Sequence, residues 1–397
     1  MAQQVIQQRK RGFIGINAHP EGCRHNVEEQ IARVRHAVPR DRGMANALII
    51  GASTGYGLAS RIAAAWGYGA RTLGIFYERP PKEGATATAG YYNTVAFHDA
   101  ARRDGLVAAS INGDAFSDEV KRQAAEVLGR DFGPLDLVIY SVASPRRVHP
   151  RTGAIHDSAL KPIGRPFTSK SIDLRSEQIV EVTIPPADPK EIEDTIAVMG
   201  GEDWRTWIEM LMSEGLLARG ARTLAYSYIG PRVTWPIYRD GTIGRAKQDL
   251  ERTARELNLL VGERLGGAAR ISVNKAVVTQ ASAAIPVVPL YLSILFRVMK
   301  ERGTDEAPID QMVRLFRDYL AGGDSSLLDD EGRVRLDAWE LEPDVQAAVA
   351  NLWLEVTSDN LYHLSDFAGF KRAFDNLFGF NVEGVDYSAP VETNLTW

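Results

Sequence analysis

Tyr238 and Lys247 bracket the segment Tyr238-Arg-Asp-Gly-Thr-Ile-Gly-Arg-Ala-Lys247. A phenol beside an ammonium can manage a proton during hydride transfer. When hydride reaches the β-carbon of an α,β-unsaturated thioester, charge develops on the carbonyl oxygen. A phenol can hydrogen-bond that enolate oxygen and stabilise it more than the ground-state carbonyl. A nearby ammonium lowers the phenol's pKa and can also hold a cofactor ribose. Nine helical steps rotate by about 900°, half a turn off, and separate the two residues by about 13 Å. One continuous helix would therefore set them on opposite faces. Gly241 and Gly244 let Tyr238 sit on a loop before a helix that carries Lys247. Taken singly, the two read blandly, as a solvent-touched aromatic and an exposed helix lysine.

Such a pair needs a bound hydride donor, and Ala47-Leu-Ile-Ile-Gly51-Ala-Ser-Thr-Gly55-Tyr-Gly57 offers its binding turn. An apolar strand stops at a glycine-rich loop, and a small-residue helical pattern starts at once. The glycines let the backbone approach a pyrophosphate, and the helix's free N–H groups attract its charge. The spacing is G-x3-G-x-G, as in short-chain dehydrogenases, where the Tyr–Lys pair is ordinarily four apart rather than nine.

The next strand, Leu73–Tyr77, ends in Glu78, about twenty residues after the turn, where such folds hold the adenine-side ribose. A carboxylate there accepts from two ribose hydroxyls and repels a 2′-phosphate, favouring NADH over NADPH. The adjoining Arg79 complicates this, because an arginine could accept a phosphate. Asp114, within Asn112-Gly-Asp-Ala115, can accept from the adenine amino group. Tyr140-Ser-Val-Ala143 closes the fourth strand where the nicotinamide ribose should lie.

The elements that must position these residues alternate. Strands are expected at Gly12–Asn17, Ala47–Ile50, Thr72–Tyr77, Leu106–Ile111, Leu135–Tyr140 and Arg222–Ser227. Helices are expected at Asn26–Arg35, Gly57–Trp66, Tyr91–Asp104, Asp118–Leu128 and Ile243–Glu263. This order predicts an α/β fold, a Rossmann-like doubly wound parallel sheet with helices on both faces and the ligand along one rim. The pattern breaks from Arg146 to about Pro189, where a loop-rich insertion with one hairpin (Ser171–Leu174, Ile179–Ile184) is expected. We divide the chain into an N-terminal extension (1–45), a dinucleotide-binding core (46–145), an insertion and substrate-loop region (146–240), a catalytic helix with the last core elements (241–300) and a helical C-terminal appendage (301–397), all in one enlarged body.

Bulk properties narrow the class. The 397 residues carry a net charge of −5, so nothing draws the chain toward nucleic acid. One cysteine, Cys23, excludes an intramolecular disulfide and suits a reducing cytoplasm. The N-terminus lacks the apolar run of a secretory signal. Ala276–Phe296 is uncharged and long enough to span a bilayer, but Thr279, Gln280, Ser282, Pro286 and Pro289 interrupt it. It reads as a strand end and a buried helix. Its stretch from Ile285 to Phe296 reads as core that could also wall an acyl tunnel. The histidines lack metal-ligand spacing, so no metal is expected. Arg146, Arg147 and Arg151 could grip a phosphate or an acidic carrier, or only solvate a loop.

Several pieces together carry a resemblance: Arg11-Gly-Phe, His19-Pro-Glu-Gly-Cys23, the glycine turn, Ser110-Ile-Asn-Gly-Asp-Ala-Phe-Ser117, Ser144-Pro-Arg-Arg147, Val198-Met-Gly-Gly-Glu-Asp-Trp204, Tyr238-x8-Lys247, Lys275-Ala-Val-Val-Thr-Gln280 and Asp366-Phe-Ala-Gly-Phe370. In this order the chain resembles the FabV-class enoyl-acyl-carrier-protein reductases and the related trans-2-enoyl-CoA reductases. The resemblance implies a monomeric, enlarged short-chain-dehydrogenase relative that reduces enoyl-CoA or enoyl-acyl-carrier-protein with NADH in fatty-acid elongation. It implies cofactor contacts at Gly51, Ala52, Ser53, Thr54, Gly55, Tyr56, Tyr77, Glu78, Asp114, Ala115, Val142, Ala143, Lys247, Val277, Val278 and Thr279. Tyr238 would be the proton donor and Tyr228 a substrate contact. C-terminal parts of this family have been described as flavin-associated, which nothing in this sequence supports. Trp235-Pro236 departs from the smaller or polar residues expected before Ile237. Two alternatives stay open: a carbonyl or alcohol oxidoreductase of the same superfamily, using Ser141, and a non-catalytic NADH sensor for which Tyr238 would be dispensable.

Overall fold

Strand β1 (Asn46–Ile50) is buried at every residue, as a strand covered on both faces must be. The computed structural model describes residues 3–11, 14–38, 43–283 and 285–397. Successive side chains of β1 alternate between two cores. Ala47 and Ile49 join Phe97, Leu137, Met312 and Phe316 on one face, while Leu48 and Ile50 join Leu73, Val138, Trp204 and Trp207 on the other. That period of two is the pleat itself.

Around β1 stand β2 (Arg71–Phe76), β3 (Ala108–Asn112), β4 (Leu135–Tyr140), β5 (Leu217–Ser227), β6 (Ala268–Val273) and β7 (Val334–Arg335). Their order is β7-β6-β5-β4-β1-β2-β3, and every pairing is parallel. The expected doubly wound parallel sheet is therefore what the chain builds. The order reverses between β1 and β4, so a crevice opens beyond their C-terminal ends. β5 starts earlier than Arg222 and shifts register between Leu217 and Arg222. β7 was not expected in a C-terminal region read as helical. Two residues paired at an edge are too short to leave a periodic signal.

The crossover helices are Gly55–Ile62, Ala89–Arg103, Asp118–Val127 and Thr242–Leu265, each near its expected bounds. The first and third continue as π-helical turns, Ala63–Gly67 and Leu128–Phe132. The N-terminal helix is longer than expected, Pro20–Ala37, because His19 Nδ1 caps it by accepting from the Gly22 N–H at 3.3 Å. Histidine is not among the usual cap residues; the start signal that the expected bounds miss is Pro20 at the first helical position, with Glu21 beside it. Gly12 and Phe13, which open the expected strand and end the Arg11-Gly-Phe piece, lie outside the described residues. Ile14–Gly15 pairs antiparallel with Lys10–Arg11.

Between β4 and β5 the insertion holds two hairpins. Phe167–Asp173 pairs with Gln178–Ile184 where one was expected. Arg146–Val148 pairs with Ile155–Asp157 where only loop was expected, its three-residue strands being below the length that alternation can reveal. In place of the expected strand end, the segment from Ala276 forms a loop and the short helix Gln280–Ala283; the helix Val288–Glu301 follows, and its Leu290, Tyr291, Leu292, Ile294 and Leu295 are all fully buried. It packs against Phe367, Phe370 and Phe374 of the C-terminal segment in a third core. Among the described residues no helix is long and apolar enough to cross a membrane.

Candidate active site

The glycine turn follows β1 directly. Gly51 has φ +91°, and a Cβ there would meet the Ser141 carbonyl oxygen at 2.1 Å, at the end of β4. A Cβ on Gly57 would meet the Gly51 carbonyl oxygen at 1.9 Å. These glycines let the loop fold tightly onto the two strand ends. Gly55 has φ +53°, and only Thr279 Cγ2 comes within 4 Å of its missing Cβ, so its outer side stays open. Thr54 caps the helix without a side-chain hydrogen bond, leaving first-turn N–H groups to an external acceptor. This cradle fits a dinucleotide pyrophosphate.

At the end of β2, Tyr77 is exposed and Glu78 is held from two sides. Ser53 Oγ donates to Glu78 Oε1 at 2.8 Å. The Asn112 side chain, at the end of β3, accepts from the Glu78 N–H and donates to its carbonyl, both at 2.8 Å. Asn112 lay inside a motif already singled out but had no role there. Beyond β3, Asp114 Oδ1 accepts from the Phe116 N–H at 3.0 Å. The Ala115 carbonyl accepts from Lys121 Nζ and Trp207 Nε1. Buried Lys121 also pairs with Asp203 at 2.7 Å, so the loop rests on a rigid polar support.

The loop after β6 returns to the same rim. Tyr56 donates its hydroxyl proton to the Lys275 carbonyl at 2.6 Å, tying the glycine-turn helix to this loop. Val277 and Val278 are buried. Thr279 and Ser282 exchange hydrogen bonds, Thr279 N–H to Ser282 Oγ and Ser282 N–H to Thr279 Oγ1. Gly51–Tyr56 and Val277–Thr279 are thus brought together. Val142 and Ala143 follow Ser141, whose N–H donates to the Ile50 carbonyl at 2.8 Å.

Tyr238 sits on a run of turns that precedes the helix Thr242–Leu265, as the glycines required. A Cβ on Gly244 would strike the Arg239 carbonyl oxygen at 1.9 Å and that of Tyr238 at 2.6 Å, so the turn folds against the helix's first turn. Lys247 lies on that helix. Its Nζ donates to the Tyr226 carbonyl at 3.1 Å, not to the phenol. Burial pulls the Lys247 amine down to about 8, partly opposed by Glu251. Burial, then the Glu340 charge, push the Tyr238 hydroxyl up from its ordinary value. The expected lowering by an ammonium is not among the causes: Lys247 reaches the Tyr226 carbonyl instead, and burial dominates. Tyr238 packs edge-on against Tyr228, ring centroids 4.9 Å apart.

Tyr228 and Lys247 line a cleft of about 990 Å³. Tyr238 is not in its wall but packs on Tyr228, which is. Arg232, Trp235, Arg239, Val349, Trp353 and Leu354 also line the cleft. Trp235 donates Nε1–H to the Gly230 carbonyl at 2.8 Å. The Arg239 guanidinium lies 3.4 Å over its ring and that of Arg232 5.7 Å. The unexpected tryptophan is therefore a platform for two cations. Nothing from Ile285 to Phe296 lines this cleft, so that run is core.

Of the three arginines in the basic loop only Arg147 turns inward; Arg146 and Arg151 stay exposed. Arg147 is buried, donating to the Ala197 carbonyl and pairing with Glu202 at 2.9 Å. Arg146 pairs with Asp157 across the hairpin at 2.7 Å. Sequence reasoning also missed Glu340 and Tyr291, which meet behind Tyr228. A tyrosine in an apolar run was the available signal, since a buried phenol must find a partner. Among the described residues no cluster of His, Cys, Asp or Glu is placed to hold a metal ion.

The chain is similar to known proteins over nearly its whole length. Residues 85–321 match the family model "Trans-2-enoyl-CoA reductase catalytic region", and residues 5–83, with the glycine turn and Glu78, match "NAD(P)H binding domain of trans-2-enoyl-CoA reductase". Residues 328–391 match "Enoyl reductase FAD binding domain". In this chain that segment fills its own interior with Phe367, Phe370, Phe374, Phe378 and Phe380, each at most 4% exposed. Those rings belong to the third core, and no step below uses a flavin.

The enoyl-acyl-carrier-protein reductase [NADH] of Burkholderia pseudomallei (strain K96243) is 56% identical over 98% of both chains. That of Opitutus terrae is 54% identical over 98% of this chain and 99% of its own. The trans-2-enoyl-CoA reductase of Treponema denticola, crystallised with NAD, is 46% identical with a TM-score of 0.95, covering 99% of each chain. That of Clostridium acetobutulicum, crystallised with NADH, is 42% identical with a TM-score of 0.95 over 98% of each. The chain belongs to the family of trans-2-enoyl-CoA and NADH-dependent enoyl-acyl-carrier-protein reductases.

Proposed function

We propose that the protein reduces the trans-2,3 double bond of an enoyl thioester with NADH, and that Tyr238 delivers the proton. One observation carries this reading: the glycine cradle, the Glu78 carboxylate, the loop after β6 and the Tyr238–Lys247 turn all gather at the C-terminal rim of one parallel sheet. NADH, when bound, supplies the hydride. Gly51 to Tyr56 take its pyrophosphate on backbone N–H groups and a helix N-terminus. Tyr77, Glu78, Asp114 and Ala115 hold the adenosine end. Val142, Ala143, Lys247 and Val277 to Thr279 hold the nicotinamide end.

Tyr238 donates a hydrogen bond to the thioester oxygen, one that strengthens as the enolate forms. Its raised pKa keeps the proton on the phenol until then. Tyr228 walls the thioester. The cleft beyond it takes the carrier arm, and the Arg232–Trp235–Arg239 cluster supports an anionic arm, whether of coenzyme A or of a carrier protein. The enzyme acts as a monomer in the cytoplasm, in fatty-acid elongation. A single, buried, free cysteine favours that compartment.

The test is NADH oxidation at 340 nm with a trans-2-enoyl-CoA, wild type against Tyr238→Phe. The variant should lose about 10²- to 10⁴-fold in kcat and keep its NADH affinity. Full activity in the variant, or a wild type inert on enoyl thioesters, would reject the assignment.

A further inference from the structure

Behind Tyr228 lies a carboxylate with no role in the reading above. Glu340 follows the 3₁₀ turn Leu336–Ala338 and is completely buried. Tyr228 donates its hydroxyl proton to Glu340 Oε1 at 2.9 Å, and Tyr291 donates to the same oxygen at 2.6 Å. The Ala276 N–H donates to Oε2 at 2.7 Å. Gln346 Nε2 donates to the Glu340 carbonyl at 2.6 Å and to the Tyr291 hydroxyl at 3.2 Å. The carboxylate thus joins the end of β5, the loop after β6, the helix Val288–Glu301 and the C-terminal segment. The titratable groups that interact with its charge are Tyr228, Tyr291, Tyr238, Tyr56 and Lys275. Lys275 is buried too, and its Nζ donates to Asp305 and to the Ala276 and Glu306 carbonyls.

A phenol has one proton to give. Of the three phenols gathered here, Tyr228 and Tyr291 spend theirs on one carboxylate oxygen. Tyr238, edge-on to Tyr228, donates to no acceptor among the described residues. We propose that Glu340 is a positioning residue: by accepting the hydroxyl hydrogen bonds of Tyr228 and Tyr291 it leaves Tyr238 as the phenol whose O–H is free to serve the enolate, and it fixes the wall against which Tyr238 packs. This rests on Tyr238 being the proton donor. Through the Ala276 N–H the same carboxylate also anchors the loop that leads to Val277–Thr279. Burial raises the Glu340 carboxyl while its donors oppose the rise, and its charge is one cause of the raised Tyr238 phenol.

The experiment compares Glu340→Gln, Tyr228→Phe, the double variant and Tyr291→Phe. It reads kcat against pH, NADH affinity by fluorescence, and thermal melting. An amide keeps the size but turns one acceptor oxygen into a donor, so a phenol or the Ala276 N–H loses its partner. Glu340→Gln should lower kcat about 100-fold, while NADH affinity falls only a few-fold. In the Tyr228→Phe background the same change should cost much less, because both act on one contact. Loss of the negative charge should move the alkaline limb of kcat to lower pH.

Tyr291→Phe keeps the charge and removes a donor, so its limb should stay or move upward. It keeps the proposal testable if the glutamine variant does not fold. Multiplicative losses in the double variant, or limbs unmoved in Glu340→Gln and moved downward in Tyr291→Phe, would overturn the role. Tyr238→Phe separates the two readings: if it retains full activity the donor assignment fails, whatever Glu340 does.

Discussion

The two sides of the rim are built differently. On the side we assign to the cofactor each group sits at the end of a strand, and the backbone carries most of the work: the Gly51 turn, the Glu78 main chain clasped by Asn112, and the loop after β6. On the side we assign to the substrate the groups are long side chains from distant segments. Tyr228, Tyr238, Tyr291 and Glu340 meet although 112 residues separate the first from the last. A strand-end site depends on local turns and is read in short motifs, whereas a side-chain site depends on how separate layers pack. Damage should therefore look different on the two sides, as lost cofactor affinity on one and as lost turnover or a shifted pH profile on the other.

The sharpest break on the cofactor side is Gly51→Ala. It combines a left-handed φ, costing about 1–3 kcal/mol in a residue with a Cβ, with a 2.1 Å collision against the Ser141 carbonyl. We expect a large fall in melting temperature and loss of NADH binding. Gly84→Ala shares the positive φ but opens onto free space. It should cost only the strain, which separates collision from conformation in the same melting experiment.

Glu78→Ala comes next. Removing hydrogen bonds to a charged acceptor, about 1.5–3 kcal/mol, should weaken NADH roughly tenfold or more. It should also raise the NADPH-to-NADH rate ratio, since the repulsion of a 2′-phosphate goes with the charge. An unchanged ratio in steady-state kinetics would show that Arg79 or the loop decides the choice.

Lys247 gives an effect with opposite signs in two measurements. Burial depresses its pKa from 10.5 to about 8, so the folded chain favours the neutral amine. Below pH 8 the buried ammonium costs stability, and that cost is relieved as pH rises from about 8 to 10.5. The cofactor-free protein should gain thermal stability over that window relative to Lys247→Met. NADH affinity should fall over the same window as the ammonium is lost, and should be flat with pH in Lys247→Met.

The smallest effects fall at the cleft. Arg232→Glu should raise KM for enoyl-CoA several-fold, and the change should shrink with added salt. Arg146→Ala should change neither KM nor melting temperature, because its partner Asp157 is as exposed as it is. Reversed results at the two positions would move the carrier arm to the hairpin.

Local motifs carried much of this architecture. The alternation of apolar runs and helical patterns announced the parallel sheet, because strands covered on both faces must be apolar throughout. The glycine turn and Glu78 were legible because each sits at a fixed distance from a strand end. The nine-residue spacing of Tyr238 and Lys247, with glycines between, already demanded a loop before a helix, and the chain has one. The hairpin at Arg146 and strand β7 escaped notice because two or three residues hold no period. From the sequence Arg147 reads equally as a grip for phosphate or an acidic carrier and as a solvated loop charge; packing gives it Glu202 and a carbonyl instead.

By itself, then, the sequence determined the local features of this protein: the sheet, the cradle, the carboxylate just past the end of β2 and the turn that presents Tyr238. Those follow from hydrophobic period, left-handed glycines and short-range geometry, which neighbouring residues settle among themselves. Only the tertiary structure decided that Lys247 would donate to a carbonyl and that Glu340 would accept the hydroxyl hydrogen bonds of Tyr228 and Tyr291. A buried polar group is satisfied by whatever the folded chain brings within about 3 Å, and no spacing along the chain encodes that partner.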